Sequence, residues 1–445
     1  MLCAGTAIAD ISPKPGEELG GYPHYPRNNT GVHDPLYAAC LYLDNGENQA
    51  ALVTLDLLFL SKRYVSRVRE LAETACSIPG GNVMISCSHT HSGPWAAGRL
   101  DVESLEQGKQ ENPEYVNWLI DTIVSVISNA KRSAFSAEFT SCLAMCGAES
   151  GVGGNRRIPG GPHDPLVSVL AVRSSDQVIR GIFVNYTLHP TFIHEWSTLV
   201  TADYPCYLRA ELSERESSAV IGFSQGASGN QSSRYYRQGE SYDEAERVGR
   251  TIGKAAYATL EHAVWISELP ITVKQGEVPL EIRSFGSVEE LERRVEEDTA
   301  RYRELYAKYG QSKNREEYYL WQNANLKTLG SEDQLAYVKL HAEGVRISLE
   351  ADEAPAEIQV IQLGDTCIVG VPGEVFVEYG LYVKAMAGYG KVIFNALTNG
   401  CLPGYLYTPE SLVSGGYETD TSMLGEAFGR HMVDAVLELI RSMRS

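Results

Sequence analysis

The chain has 445 residues, with 38 basic against 57 acidic side chains and a formal charge of −19. A field of that sign repels phosphate backbones and anionic membrane surfaces, so nucleic acid is excluded as an expected partner. At 43% hydrophobic and 21% charged residues, the composition is globular and long enough to bury a sizeable core. The opening stretch Met1 to Thr6 lacks the basic start and apolar core of a secretory signal, and no apolar run approaches the ~20 residues a membrane span needs. A cytoplasmic protein with no membrane anchor is therefore expected. The nine cysteines follow neither zinc-ribbon nor disulfide spacing and read as mostly buried thiols, with Cys142 and Cys146 able to share a helix face.

In chain order, Leu36 to Leu43 and Ala51 to Leu57 read as a β-hairpin across the turn Asp44-Asn45-Gly46-Glu47. Tyr64, Val65, Val68, Leu71, Ala72 and Ala75 then recur at helical spacing. Val83 to Ile85 is a strand running into Ser88-His89-Thr90-His91, and a helix opens at Asn112-Pro113 with proline in its first turn. The hexapeptide Gly31-Val32-His33-Asp34-Pro35-Leu36 recurs as Gly161-Pro162-His163-Asp164-Pro165-Leu166, each copy followed by a hairpin pattern. The echo points to two related β-β-α-β units with a site between them; the alternative is chance recurrence of a common turn. Residues 287–345 open on a capping box, Ser287 with Glu290, and continue as a charged, tyrosine-rich helical insertion. A closing amphipathic helix follows from Met423. The expected fold is thus mixed α/β (α+β): a mixed β-sheet core flanked by helices, with an internal duplication and a helical insertion, in one domain over residues 1–445.

The chemistry concentrates at strand ends. In an extended strand, residues two apart face the same side, so His89 and His91 can serve one metal, or one can bind metal while the other handles protons. The continuation Ser92-Gly93-Pro94 rules out the His-x-His-x-Asp-His pattern of metallo-β-lactamases, and the hairpins argue against a TIM-barrel amidohydrolase. His189, in Leu188-His189-Pro190-Thr191, also ends a strand, and its role is either a hydrogen-bonded structural histidine or a ligand that Pro190 keeps in an extended segment. The polar loop from Ser224 to Ser233 lacks the Gly-x-Ser-x-Gly elbow of serine hydrolases. Glu374, in Pro372-Gly373-Glu374, and the tyrosine turn from Thr398 to Tyr407 are weak signals taken alone.

Together these segments resemble the neutral ceramidase family (neutral/alkaline, non-lysosomal), specifically its N-terminal catalytic domain. The likeness runs from Ala4-Gly5-Thr6-Ala7 and Ile11-Ser12-Pro13 through Ser88 to Pro94, His189-Pro190-Thr191 and Pro372-Gly373-Glu374 to the late tyrosines. The resemblance implies a single Zn2+ held by His89, His189, Glu374 and Tyr405. It prefers Tyr405 to Tyr407 because a second active-site tyrosine lies twelve positions after the zinc tyrosine in the family, and Tyr417 has that spacing. It implies an active-site arginine at Arg156, in the pair Asn155-Arg156, and places a catalytic serine at Ser232. There the surroundings depart: Gly229-Asn230-Gln231-Ser232-Ser233-Arg234 stands where ceramidases have Gly-Asp-Val-Ser-Pro-Asn. The secretion or anchor signal and the C-terminal immunoglobulin-like domain of ceramidases have no counterpart in the sequence. His33 and His194 are candidate substrate contacts.

The expected activity is hydrolysis of an amide in a soluble N-acyl compound rather than membrane ceramide. Zinc would make hydroxide available, His91 would move the proton, and Tyr417 and Arg156 would steady the oxyanion. The alternatives are a zinc-dependent ester or lactone hydrolase or lyase acting on a sugar-like molecule, and a non-catalytic metal-binding scaffold. The partner is a small-molecule substrate; the sequence leaves the oligomeric state open.

Overall fold

The computed structural model describes residues 1–22, 25–95, 111–147, 150–345, 352–402 and 404–444. Pro403, within the late tyrosine turn, lies outside them. One connection pattern is used three times. The first unit is β1 (Cys3–Asp10), the hairpin β2 (Tyr37–Asp44) and β3 (Gln49–Leu55), helix α1 (Lys62–Cys76) and β4 (Val83–Cys87). Strands β1 to β3 pair antiparallel, and β4 returns parallel to β3 after the helix. Helix α2 (Pro113–Arg132) follows, its first N–H groups capped by the Asn112 side chain.

The second unit repeats this order with β5 (Phe135–Met145), β6 (Leu166–Ser174), β7 (Ile179–Tyr186), α3 (Tyr204–Arg215) and β8 (Val220–Gln225). Again a hairpin is followed by a helix and a parallel return. The eight strands form one sheet in the order β8-β7-β6-β5-β1-β2-β3-β4, with β1 and β5 antiparallel at its middle. The two halves thus carry the same topology on either side of one pair, and the His-Asp-Pro-Leu echo marks the start of β2 and of β6. The helical reading of Cys142 and Cys146 is corrected: Cys142 lies in strand β5 opposite Val169, because the segment from Ala137 to Met145 pairs residue by residue with β6.

After α4 (Tyr242–Leu260) the third unit begins with β9 (Ile271–Val278). Next come two long helices, α5 (Val288–Tyr309) and α6 (Arg315–Ala342), which pack on each other through contacts such as Ser331 Oγ to Asp298 and Lys327 to Asp298 at 3.0 Å. The Ser287–Glu290 capping box is formed. The unit then completes with the hairpin β10 (Ala356–Leu363) and β11 (Thr366–Gly370), helix α7 (Val377–Met386) and β12 (Lys391–Asn395), in a four-stranded sheet ordered β9-β10-β11-β12. Short helices α8 (Pro409–Ser414) and α9 (Tyr417–Asp420) precede the closing helix α10 (Phe428–Ser442). That helix starts five residues later than Met423, because Leu424 is drawn into a bridge with Ile282. Among the described residues, no helix is long and apolar enough to cross a membrane.

The inner faces of the two sheets meet in a core that includes Leu41, Met84, Phe139, Leu170, Phe183, Ile361, Ile368 and Ile393. Helices cover the outer faces: α1 and α2 lie over β1–β4, α3 and α4 over β5–β8, and α7 and α10 over the small sheet. Each large aliphatic or aromatic side chain so buried contributes about 1.5–3 kcal/mol. Polar side chains tie the sheets at their centre, where Asn185 Nδ2 and Ser224 Oγ both donate to Asn395 Oδ1, at 2.9 and 2.8 Å. Gly5 lets α2 approach β1: a Cβ there would lie 1.9 Å from the Ala130 carbonyl oxygen. Gly5→Ala is therefore expected to lower the unfolding free energy by about 3 kcal/mol, read from a denaturant melt.

Candidate metal centre

The ends of β4, β7 and β11 converge, one from each unit. Beyond β4 the chain turns sharply at His89, whose φ of 67° is the left-handed conformation that side-chain-bearing residues avoid. Hydrogen bonds hold it there: its N–H donates to Leu57 O at 2.9 Å and its Nδ1–H to Leu58 O at 3.0 Å. Backbone strain held in this way costs on the order of 1–3 kcal/mol and is kept where the surroundings over-determine it. Beyond β7, His189 N–H donates to Gln231 O at 3.2 Å and its Nδ1–H to Ser228 O at 2.7 Å. The preceding carbonyl, Leu188 O, is held by Tyr204 Oη and Gln225 Nε2. Beyond β11, the chain turns at Gly373, φ 86°, and Glu374–Val375 forms a short parallel ladder with Tyr405–Leu406, so that Glu374 stands beside Tyr405.

This places Glu374 Oε2 3.0 Å from His189 Nε2 and 3.3 Å from His89 Nε2. A backbone carbonyl can only accept, so in both rings Nδ1 carries a proton and Nε2 is the atom turned inward. His189 is neutral over most of the pH range, its pKa lowered to about 4 by burial and by the nearby Arg156 charge. Burial alone would raise the Glu374 carboxyl, but positive charge brought by His89 and His189, with the hydrogen bonds the rings donate when Nε2 carries a proton, holds it well below the usual carboxylate range. Two lone pairs and a carboxylate facing one another in a buried space repel unless a cation lies between them. These donors could hold a metal ion, and the carbonyls behind the rings fix the tautomers as metal-binding histidines require.

His91 joins the same cluster. One ligand atom each from His89, His91 and His189 lie within 4.8 Å of one another. This set overlaps the expected ligands at His89 and His189 and adds His91, which sequence reasoning assigned to proton transfer. Both ring nitrogens of His91 are buried, with no hydrogen-bond partner among the described residues. Burial, with His89 and His189 alongside, pushes its pKa well below 6.5.

On the other side, the Arg156 guanidinium donates to Tyr405 Oη at 3.0 Å and to Glu418 Oε1 at 2.8 Å. The Tyr405 and Tyr417 rings lie 5.9 Å apart. Burial, and then the Glu374 charge, push both phenols above their ordinary range, so both are protonated in the metal-free protein. Ser232 is more removed. Its two-residue strand pairs with Gly154–Asn155, its Oγ accepts from Arg234 N–H at 3.1 Å, and its link to the donors runs through Gln231, which holds the His189 backbone. His194 belongs to an outer layer: it stacks on Tyr22 at 5.7 Å, Tyr22 meets His91 edge-on at 5.0 Å, and Arg237 donates to His194 Nε2 at 2.8 Å. His33 stacks on Tyr242 at 3.8 Å and bonds Asp34, in a separate aromatic group.

Several residues escaped sequence reasoning. Glu418 anchors both Arg156 and Arg157. Arg27 donates to His91 O. Asp203, buried with φ 62°, accepts from the N–H groups of Phe192 and Ile193, each at 2.9 Å, and so shapes the loop after His189. Asp203 caps α3 ahead of Pro205, a local signal that could have been read; the roles of Glu418 and Arg27 depend on partners far along the chain.

The low pKa of His189 has a measurable consequence. The unfolded chain takes up this proton near pH 6.5 and the folded one near 4, so the unfolded state binds more protons in between. The contribution is complete above pH 6.5 and is lost as the pH falls toward 4. Metal-free protein is expected to lose denaturant stability across that window, and His189→Gln is expected to flatten the loss.

No family model matches the chain, and no curated protein matches it in sequence. Solved structures do. A neutral ceramidase from Pseudomonas aeruginosa superposes with a TM-score of 0.75 at 18% identity, covering 100% of this chain and 74% of that one. A ceramidase complexed with C2 gives 0.74 at 17% identity, covering 100% and 75%. The chain has the fold of these ceramidases over its whole length.

Proposed function

We propose that this protein is a zinc-dependent hydrolase of the amide bond in a small, soluble N-acyl compound. His89, His189, Glu374 and Tyr405 would hold the ion. The observation carrying this reading is the meeting of two Nε2 lone pairs with the Glu374 carboxylate at 3.0 and 3.3 Å, each ring proton tied to a carbonyl on the far side. The fold shared with neutral ceramidases supports the amide as the bond cleaved.

When bound, zinc supplies a Lewis acid and lowers the pKa of water toward neutrality. The chain's own groups do the rest. His91, neutral and with both nitrogens unengaged, accepts the proton of the attacking water and returns it to the leaving nitrogen. Arg156, kept charged and aimed by Glu418, and Tyr417, kept protonated by burial, donate to the developing oxyanion. Tyr405 is the adaptable ligand: its phenol is protonated without metal, and the Arg156 bond offers it a resting position. The soluble-substrate reading, with residues 1–445 as one domain, keeps the chemistry of the ceramidase fold without its lipid.

The test is turnover of an N-acyl series, with ester and lactone analogues, by protein of measured zinc content with and without chelator in 18O-water. One zinc per chain, chelator-sensitive amide cleavage and one solvent oxygen in the carboxylate are expected. Product without solvent oxygen would favour elimination on a sugar-like substrate, and one zinc with no turnover of any substrate would leave a binding scaffold.

A further inference from the structure

The α5–α6 hairpin is attached to the segments that carry the site. At one end, Tyr319 Oη donates to Arg234 O at 2.9 Å, and Arg234 donates to Gln322 Oε1 and Asn323 Oδ1, both at 3.0 Å. Arg234 lies two residues beyond Ser232. In the middle, the Asn325 side chain hydrogen-bonds Tyr25, on the loop that presents Tyr22 to His91. Toward the other end, Gln334 Nε2 donates to Asp420 O, and Asp333 acts electrostatically on Tyr417. Gly330 makes the last approach possible: a Cβ there would fall 2.8 Å from Asp420 Cβ and 3.0 Å from its backbone carbonyl carbon. A glycine inside a 28-residue helix is less favourable than alanine, and here the close contact explains it.

The anchors Asn325 and Asp333 are eight residues apart, a rise of about 12 Å. One end of that span stands on the His91 side of the metal centre and the other on the Tyr405–Tyr417 side. At about 100° per residue, Tyr319, Gln322, Asn325, Gly330, Asp333 and Gln334 occupy one broad face of α6. Leu326 falls at the middle of that face and Leu329 within it, and both are half-buried.

From this geometry we infer that α6 roofs the metal centre, that Leu326 and Leu329 form the contact for the acyl chain of the substrate, and that the substrate is therefore an amide with a short acyl chain. The inference rests on the hydrolase reading for its reaction but not for its binding. Two leucines between Asn325 and Asp333 provide an apolar strip one to two helical turns long, bounded by an amide and a carboxylate. Such a strip matches a few methylenes and ends where a long alkyl chain would meet half-buried polar groups.

The experiment uses zinc-loaded, full-length protein and two readouts. Calorimetry measures binding of straight-chain carboxylates from two to sixteen carbons, the acyl product, without turnover; kcat/KM is measured for the matching N-acyl amides. The wild type is expected to favour about four to eight carbons in both. Leu326→Ala and Leu329→Ala should shift the optimum longer by about two to three carbons, and Leu326→Phe should shift it shorter, with melting temperatures showing that each variant folds. Strongest binding of sixteen carbons by the wild type, no carboxylate binding at any length, or one profile shared by all variants would overturn the roof. Length-selective carboxylate binding that the variants shift, with no amide cleaved, would uphold the roof and sink the hydrolase reading alone.

Discussion

His189→Ala is expected to lower kcat/KM for any cleaved substrate by about a thousandfold or more, and to weaken zinc binding by more than the about 10–100-fold that outer-shell partners cost. The reason is geometric. His189 Nε2 and His89 Nε2 flank one carboxylate oxygen, and removing either imidazole leaves Glu374 with one of these two nitrogens to share a cation. Zinc polarisation is worth several kcal/mol at the transition state, and each 1.36 kcal/mol is about tenfold in rate. His91→Ala separates the roles within the cluster. If His91 moves protons, that variant keeps its zinc and loses turnover, and its pH–rate profile changes on one limb. If His91 is a ligand, as the three-histidine grouping allows, zinc content falls with activity. Zinc titration against a chromophoric chelator, run beside turnover, distinguishes the two.

The second large effect lies outside the cluster. Glu418→Ala is expected to destabilise the fold by about 3–5 kcal/mol, because Glu418 pairs with Arg156 and Arg157 and all three are largely buried. Its loss strands two guanidinium groups in a protein interior. Arg156 is then free to leave Tyr405, and turnover should fall by about a hundredfold in whatever fraction remains folded, the scale of removing one aligned donor. Arg157 also donates to Ser411 O and Gly415 O, so the same change loosens the segment leading into Tyr417. A denaturant melt gives the first figure and active-site-titrated turnover the second.

Much of this architecture was legible in the sequence, for identifiable reasons. The first hairpin, helix α1 and the strand into His89 follow from periodicity and turn residues alone, and the His-Asp-Pro-Leu echo foretold a repeated unit. The third unit carries no such echo; α5 and α6 separate β9 from β10, which hides it. Cys142 misled because four-residue spacing fits a helix face, whereas the strand pairing that decides the matter is made with β6, more than twenty residues away. The site was partly legible. His89 and His91 stand together in the chain, but His189, Glu374 and Tyr405 are weak signals separately. Resemblance singled them out; three strand ends folded to one point bring them together. Glu418 was invisible because its importance lies in two arginines 261 and 262 residues away. His33, prominent through the echo, stacks on Tyr242 away from the cluster.

The most direct test is a crystal of zinc-soaked protein with anomalous data collected on both sides of the zinc edge. One strong peak bonded to His89 Nε2, His189 Nε2 and a Glu374 oxygen, with the Tyr405 phenol or His91 completing the shell, is expected. An ion elsewhere, or no peak in protein whose His89, His189 and Glu374 stand as described, would contradict the account.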